Sequence, residues 1–229
     1  MRTTVNLRPR RLFAPAALAV AVLLAGCGTG ERAQNTVFDF GPPVPAAQAS
    51  ANAAALPPAI VVMDATGPSA LDTERMFYRL NYADALQART YASARWSATP
   101  LNLVTARMKA RLAQSGMKVL SATDAASGVP ILRIEIDDFV HAFASASQSS
   151  GQVMLRASVF LEHRLVDQRS FTRSAPAPGN DAAGGARALA DGADLVAADI
   201  VAWLASLQGR MTPSVPAIPA TGPQPLLRR

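Results

Sequence analysis

Between Ile131 and Val140 apolar and polar residues alternate, strictly so from Leu132 to Asp137. Leu132, Ile134, Ile136 and Val140 share one face, and Arg133, Glu135 and Asp137 share the other. That period belongs to a half-buried strand. Val153, Leu155, Ala157, Val159 and Leu161 repeat it from Gln152 to Leu161, and a third strand around Arg164 to Arg173 carries Leu165, Val166 and Phe171. The three are expected to form an antiparallel run, with the polar stretch from Ser145 to Gly151 as the loop between the first two. Upstream, TVFDF from Thr36 to Phe40 has strand composition, and the β-branched run from Ala59 to Ala65 ends at Gly67-Pro68. The segment from Arg75 to Tyr91 predicts two short strands about a turn near Ala83-Asp84, and Met117 to Leu120 predicts one more.

In two stretches the period changes to that of a helix. Thr99 can cap and Pro100 suits the first helical position. Leu101, Val104, Met108 and Leu112 then recur at helical spacing until Gly116. Arg107, Lys109 and Arg111 fall in the last turns, where cations suit the dipole, and read as a solvated face. A longer helix follows from Ala186, capped by Asn180 or Asp181, with Leu189, Ala193, Val196, Ile200, Leu204 and Leu207 as its apolar stripe. Gly184, Gly185 and Gly192 are expected to weaken its first turns, and Gly209 to stop it. The fold class is therefore α/β: a single compact domain with a mixed, largely antiparallel central sheet and two main amphipathic helices. It should span 36–209, with a Pro/Ala-rich loop at 41–58 and a Pro-rich disordered tail at 210–229.

The first residues belong to another pattern. A cationic start is followed by a mainly apolar run from Leu12 to Ala25 and then by Leu24-Ala25-Gly26-Cys27. This is the layout of a secretory signal peptide over 1–26, too short to span the hydrocarbon core, and it closes on the lipobox of bacterial lipoproteins. Leu24, Ala25 and Gly26 would be read by the signal peptidase. Cys27 would be acylated, by palmitate-type chains among others, and become the new N-terminus of a lipidated tether over 27–35. Gly28, not aspartate, follows the cysteine. By that resemblance the anchor sits in the outer membrane and the domain in the periplasm.

Composition then narrows the chemistry. The chain is 229 residues long, 50% hydrophobic and 17% charged, within the ordinary globular range. One cysteine excludes an intrachain disulfide and any Cys-based zinc site, and two histidines leave little for other metals. The net charge of +6 includes Arg2, Arg8, Arg10 and Arg11; without them eighteen basic residues face sixteen acidic ones, and nucleic-acid binding loses its support. There is no phosphate-binding loop, nucleophile elbow or zinc-protease pair. Asp137 and Asp138 are adjacent, so a strand would turn them to opposite faces. His141, on the polar side of its strand, and His163 read as structural or surface residues. Tyr78, Tyr82, Tyr91 and Trp96, interleaved with arginines, are candidates for core anchors or for a partner interface. No catalytic residue, metal or cofactor is expected, apart from covalent lipid on Cys27.

The order of these features carries a resemblance. After the lipobox come FDFGPP at Phe38 to Pro43, an apolar strand, LDTERMFYRLNYAD, and SARWSATP before a helix. Later come LRIEIDDFVHAF and a terminal helix ending DIVAWLASL. From Phe38 to Leu207 this resembles the ABC-type transport auxiliary lipoproteins, which include the paraquat-inducible C-type lipoproteins of mammalian-cell-entry (MCE) systems. The resemblance implies a non-enzymatic, membrane-anchored periplasmic accessory of an ABC/MCE-type lipid transporter. Its partners would be an MCE-domain periplasmic protein, the membrane through the anchor, and further copies of itself, but no nucleic acid. A structural or assembly-scaffold lipoprotein of another envelope complex is the alternative class. An envelope hydrolase lacks the residues it would need.

Overall fold

The computed structural model describes residues 35–43, 56–124 and 127–211. The leader, the tether up to Gln34, most of the Pro/Ala-rich loop and the tail beyond Met211 lie outside them. Eight strands and two helices follow in chain order: β1 (Thr36–Phe38), β2 (Ala59–Val62), β3 (Arg75–Leu80), β4 (Ala88–Trp96), α1 (Pro100–Gln114), β5 (Lys118–Leu120), β6 (Ile131–Ser145), β7 (Gln148–Leu161), β8 (Arg164–Pro176) and α2 (Ala182–Ser206). They make one α/β domain with a mixed sheet.

β6 is the axis of that sheet. Its 15 residues pair antiparallel with β7 along one edge, and β7 pairs antiparallel with β8. Two strands share its other edge, end to end and both parallel to it: β2 beside Ile131 and Leu132, and β3 beside His141 to Phe143. A bridge from Thr66 to Glu135 fills the gap between them. β5 adds parallel to β2, β4 antiparallel to β3, and β1 parallel to the far edge of β4. The three C-terminal strands form the expected antiparallel run; the parallel pairings make the whole sheet mixed.

The helices obey their local signals. The Thr99 side chain accepts the backbone N–H of Asn102, Pro100 opens α1, and Gly116 beyond its end has the left-handed φ of +96° that favours glycine. Asp181 caps α2 by accepting the N–H of Gly184 at 2.7 Å. The apolar stripe of α2 packs with Leu132, Ile134 and Ile136 of β6, with Val153, Leu155, Ala157 and Val159 of β7, and with Val104, Met108 and Leu112 of α1 in one core. Met211, 5% exposed, extends that core just past the expected boundary at 209. Arg133, Glu135 and Met154 stand exposed on the opposite face of the sheet.

Four expectations are corrected. The stretch from Ser145 to Gly151 is not a loop: β7 begins at Gln148, and the ladder runs on from Ser145↔Gln148 to His141↔Gly151. Its weak strand formers are tolerated because β6 lies alongside and α2 lies on top. A Cβ at Gly151 would come within 2.4 Å of the Ala188 carbonyl carbon and the Leu189 nitrogen. Gly185 and Gly192 of α2 serve the same close approach rather than loosening the helix, since a Cβ at Gly185 would meet the His141 ring at 2.3 Å and one at Gly192 the Val153 side chain at 3.1 Å. Arg107 and Arg111 are not a solvated face: both reach Asp194 of α2, and the Arg107 side chain is only 4% exposed. Burial of a guanidinium requires this pairing. Arg107 also donates to the carbonyls of Phe40 and Gly41 and stacks on the Phe40 ring, which clamps the chain after β1 to α1. Finally, Trp96 is 1% exposed and packs edge-on against Phe40 inside the core, so it presents no surface.

The β7–β8 connection carries one strained feature. Glu162 and His163 form a two-residue turn with φ of 49° and 67°, a conformation that suits Asn-Gly and costs side-chain-bearing residues about 1–2 kcal/mol each. Replacing the pair by Asn-Gly should therefore stabilise the domain by about 1 kcal/mol, after glycine's greater unfolded-state entropy is subtracted. Urea denaturation midpoints would check it; an unchanged or lower midpoint contradicts the assignment of strain.

Candidate functional site

β3 and β4 form a hairpin whose base is aromatic and whose tip is exposed. Tyr78 and Tyr91 are half-buried on its helix side, with ring centroids 4.7 Å apart. His141 and Phe143 of β6 complete the group: their centroids lie 4.4 Å apart, and Tyr78 meets Phe143 at 6.0 Å. Neither belongs to an aromatic group in the sequence pattern. The reason is a β-bulge between Ile136 and Asp138, which shifts the two-residue alternation. Phe139, His141 and Phe143 consequently turn to the helix side, whereas the unbroken pattern assigns His141 to the polar face.

The electrostatics of the group follow from burial. His141 is fully buried; its Nδ1 lies 2.8 Å from the Tyr91 hydroxyl, and its Nε2 has no hydrogen-bond partner among the described residues. Burial pulls its pKa down to about 4, against an opposing pull from Asp181 at the α2 cap. The Tyr91 hydroxyl is pushed well above its usual range, first by burial and then by Tyr78 and Asp181. Both groups are thus neutral at pH 7. Because His141 takes up its proton more readily when unfolded, the full stabilisation is present above about pH 6.5 and is lost as pH falls towards about 4. The loss should amount to about 3 kcal/mol. Denaturation midpoints at several pH values should show this slope in the wild type and a much shallower one in His141→Gln; equal slopes would contradict the assignment.

Of the four candidate aromatics, then, the structure brings Tyr78 and Tyr91 together, places Trp96 in the core, and leaves Tyr82 at the hairpin tip, 53% exposed. Beside Tyr91 lies an open groove of about 610 Å³ walled by Asn35, Glu74, Arg75 and Arg95, in which Arg95 Nη1 donates to Glu74 Oε2 at 2.7 Å. His163 occupies the β7–β8 turn, remote in sequence and pairing from His141. Asp138 pairs with Arg79 at 2.8 Å. Among the described residues no group of three potential metal ligands occurs, and no helix is long and apolar enough to cross a membrane. Cys27 and the residues before it lie outside the described structure.

These features define an α/β domain whose mixed sheet packs its core face against two helices. Residues 38–201 match the family described as the ABC-type transport auxiliary lipoprotein component, and the chain belongs to that family. Membership gives it an accessory role in ABC-type transport, in a family of lipoproteins and hence of the cell envelope. Among solved structures, a Xanthomonas campestris protein of the family DUF330 is similar in fold: TM-score 0.57, 19% identity, 66% of this chain and 86% of that one. An uncharacterized protein gives a TM-score of 0.59 at 13% identity, over 75% of this chain and 99% of that one. No curated protein matches the sequence.

Proposed function

We propose that the chain is the lipid-anchored, periplasmic accessory of an ABC/MCE-type lipid transport system, docking an MCE-domain protein at the outer membrane without turnover of its own. The family match over residues 38–201 carries this reading. The LAGC sequence ending at Cys27, with Gly28 after it, supports the anchor and its membrane. The partner surface is assigned to the half-buried edges of Tyr78 and Tyr91 and the charged groove beside them, where aromatic and arginine side chains of the kind favoured at interfaces meet.

Affinity purification of the full-length protein should recover an MCE-domain protein. A version starting after Cys27 should bind that protein in vitro yet fail to support transport in cells. Arg75→Glu, at an exposed groove position, should weaken capture several-fold without lowering the melting temperature. Mass spectrometry should find Cys27 acylated as the first residue. Recovery of an unrelated outer-membrane assembly alone would favour the scaffold class, and lipid or sugar hydrolysis by the purified protein would favour an enzyme.

A further inference from the structure

The hairpin tip between β3 and β4 is apolar where a water-facing turn ordinarily is not. Leu86 is 96% exposed and Tyr82 53%, with Ala83 and Ala85 between them. The turn is nonetheless well fixed. Ala83 and Asp84 donate their N–H groups to the Leu80 carbonyl, and the Asp84 carboxylate accepts the N–H of Leu86 at 2.9 Å. The one acidic side chain of the tip is thereby engaged with the turn itself. Behind it, the Arg89 guanidinium bonds neutral Gln87, so its charge is not cancelled by that contact.

The direction of β1 relates this tip to the anchor. β1 runs parallel to β4 with Thr36 opposite Ala94, so the chain entering β1 comes from the tip end of the hairpin. Because β4 bulges opposite Arg75 and Phe77, the rise is counted on β3: from Arg75, opposite Arg95, to Tyr82 at the tip is seven residues, at most about 23 Å at ~3.3 Å each. From Cys27 to Thr36 is nine residues, at most about 31 Å at ~3.5 Å each. A chain anchored at Cys27 is therefore long enough for the hairpin tip to stand on the membrane, and a tether stretched beyond its relaxed length draws the tip towards it.

We propose that the β3–β4 tip rests in the headgroup layer of the membrane that holds the anchor, with Leu86 and Tyr82 as the immersed side chains. The proposal builds on the lipid-anchored reading of Cys27. An exposed turn fixed by its own hydrogen bonds, with Leu86 and Tyr82 open to solvent, suits a flat lipid surface. Tyrosine favours that boundary because its ring is apolar and its hydroxyl stays wet, and Arg89 is placed to meet lipid phosphate. The anchor then holds the protein at the membrane, while the tip sets which way it faces.

The test uses the full-length lipidated protein carrying Leu86→Cys, labelled with an environment-sensitive nitrobenzoxadiazole probe. The chain has one native cysteine, Cys27, whose sulfur the anchor occupies, so labelling is specific. Leu86 is too exposed for the substitution to threaten folding. In vesicles of phosphatidylethanolamine and phosphatidylglycerol, flotation reports the anchor. The probe should shift to the blue and be quenched several-fold by headgroup-region nitroxide lipids. The same probe at Met154→Cys, on the outer face of the sheet, should show neither change. Protein that floats with a water-exposed Leu86 probe overturns the proposal while leaving the anchor intact. A probe shielded only when an MCE-domain protein is added also overturns it, assigning the tip to the protein contact. Protein that does not float overturns the anchored reading and this proposal with it.

Discussion

Gly151→Val should leave no soluble folded domain. At this position in β7 even the first carbon of a side chain would lie 2.4 Å from two backbone atoms of α2 and 2.6 Å from a third, the Ala188 oxygen. A flexible side chain can yield to such a contact, but a helix backbone cannot move alone. α2 is fixed elsewhere by its cap on Asp181, by Trp203 Nε1 donating to Asp167 at 2.9 Å, and by Asp194 binding Arg107 and Arg111. Extra methylenes in a yielding core cost about 1–3 kcal/mol; lifting a helix from its sheet exceeds that range and approaches the roughly 5–15 kcal/mol that holds a domain together. Gly151→Ala should be expressed but with a urea midpoint lowered by several kcal/mol equivalent. Wild-type midpoints for both variants would show that α2 does not press on β7 as described.

Ile200→Asp should be comparably severe for a different reason. Ile200 is 0% exposed on the α2 stripe. Loss of its aliphatic contacts alone costs about 2–5 kcal/mol, and the carboxylate that replaces it would be buried within the hydrophobic core cluster. Leu195→Asp on the same helix is the control, because Leu195 is 46% exposed and should change stability by less than about 0.5 kcal/mol. Far-UV circular dichroism and solubility of the two variants give the comparison directly. If Ile200→Asp melted like Leu195→Asp, the stripe would not face the core.

What sequence revealed about this fold was whatever is encoded within one turn of helix or a few residues of strand. The α1 boundaries were legible because Thr99, Pro100 and Gly116 each have a local mechanism that acts without the rest of the chain. β6 is legible up to Asp137, where one bulged residue reverses which face the side chains from Asp138 to Phe143 occupy. The two-residue alternation therefore places His141 on the wrong side and hides the aromatic group at the hairpin base. The start of β7 was hidden because Gln148, Ser149, Ser150 and Gly151 are chosen for proximity to α2, not for strand propensity. Long-range partners left no local trace: nothing near Ala59 or Arg75 says that β2 and β3 will share one edge of β6, or that Arg107 will find Asp194. Among the candidate site residues, Cys27 belongs to a local motif, whereas how Tyr91 and Trp96 sit against β3 depends on the register shift of β4 opposite Arg75 and Phe77.

The parallel docking of β1 on β4 also determines how the domain bears mechanical load. Tension entering at Asn35 pulls along the strand axis, toward the hairpin tip, so the hydrogen bonds joining β1 to β4 are sheared together instead of being peeled one after another. Behind them the Arg107 clamp on the Phe40 and Gly41 carbonyls must slip in the same event. A strand of only three residues can thus act as a strain relief, passing a tug on the N-terminal chain to α1 and the core before any strand is unzipped.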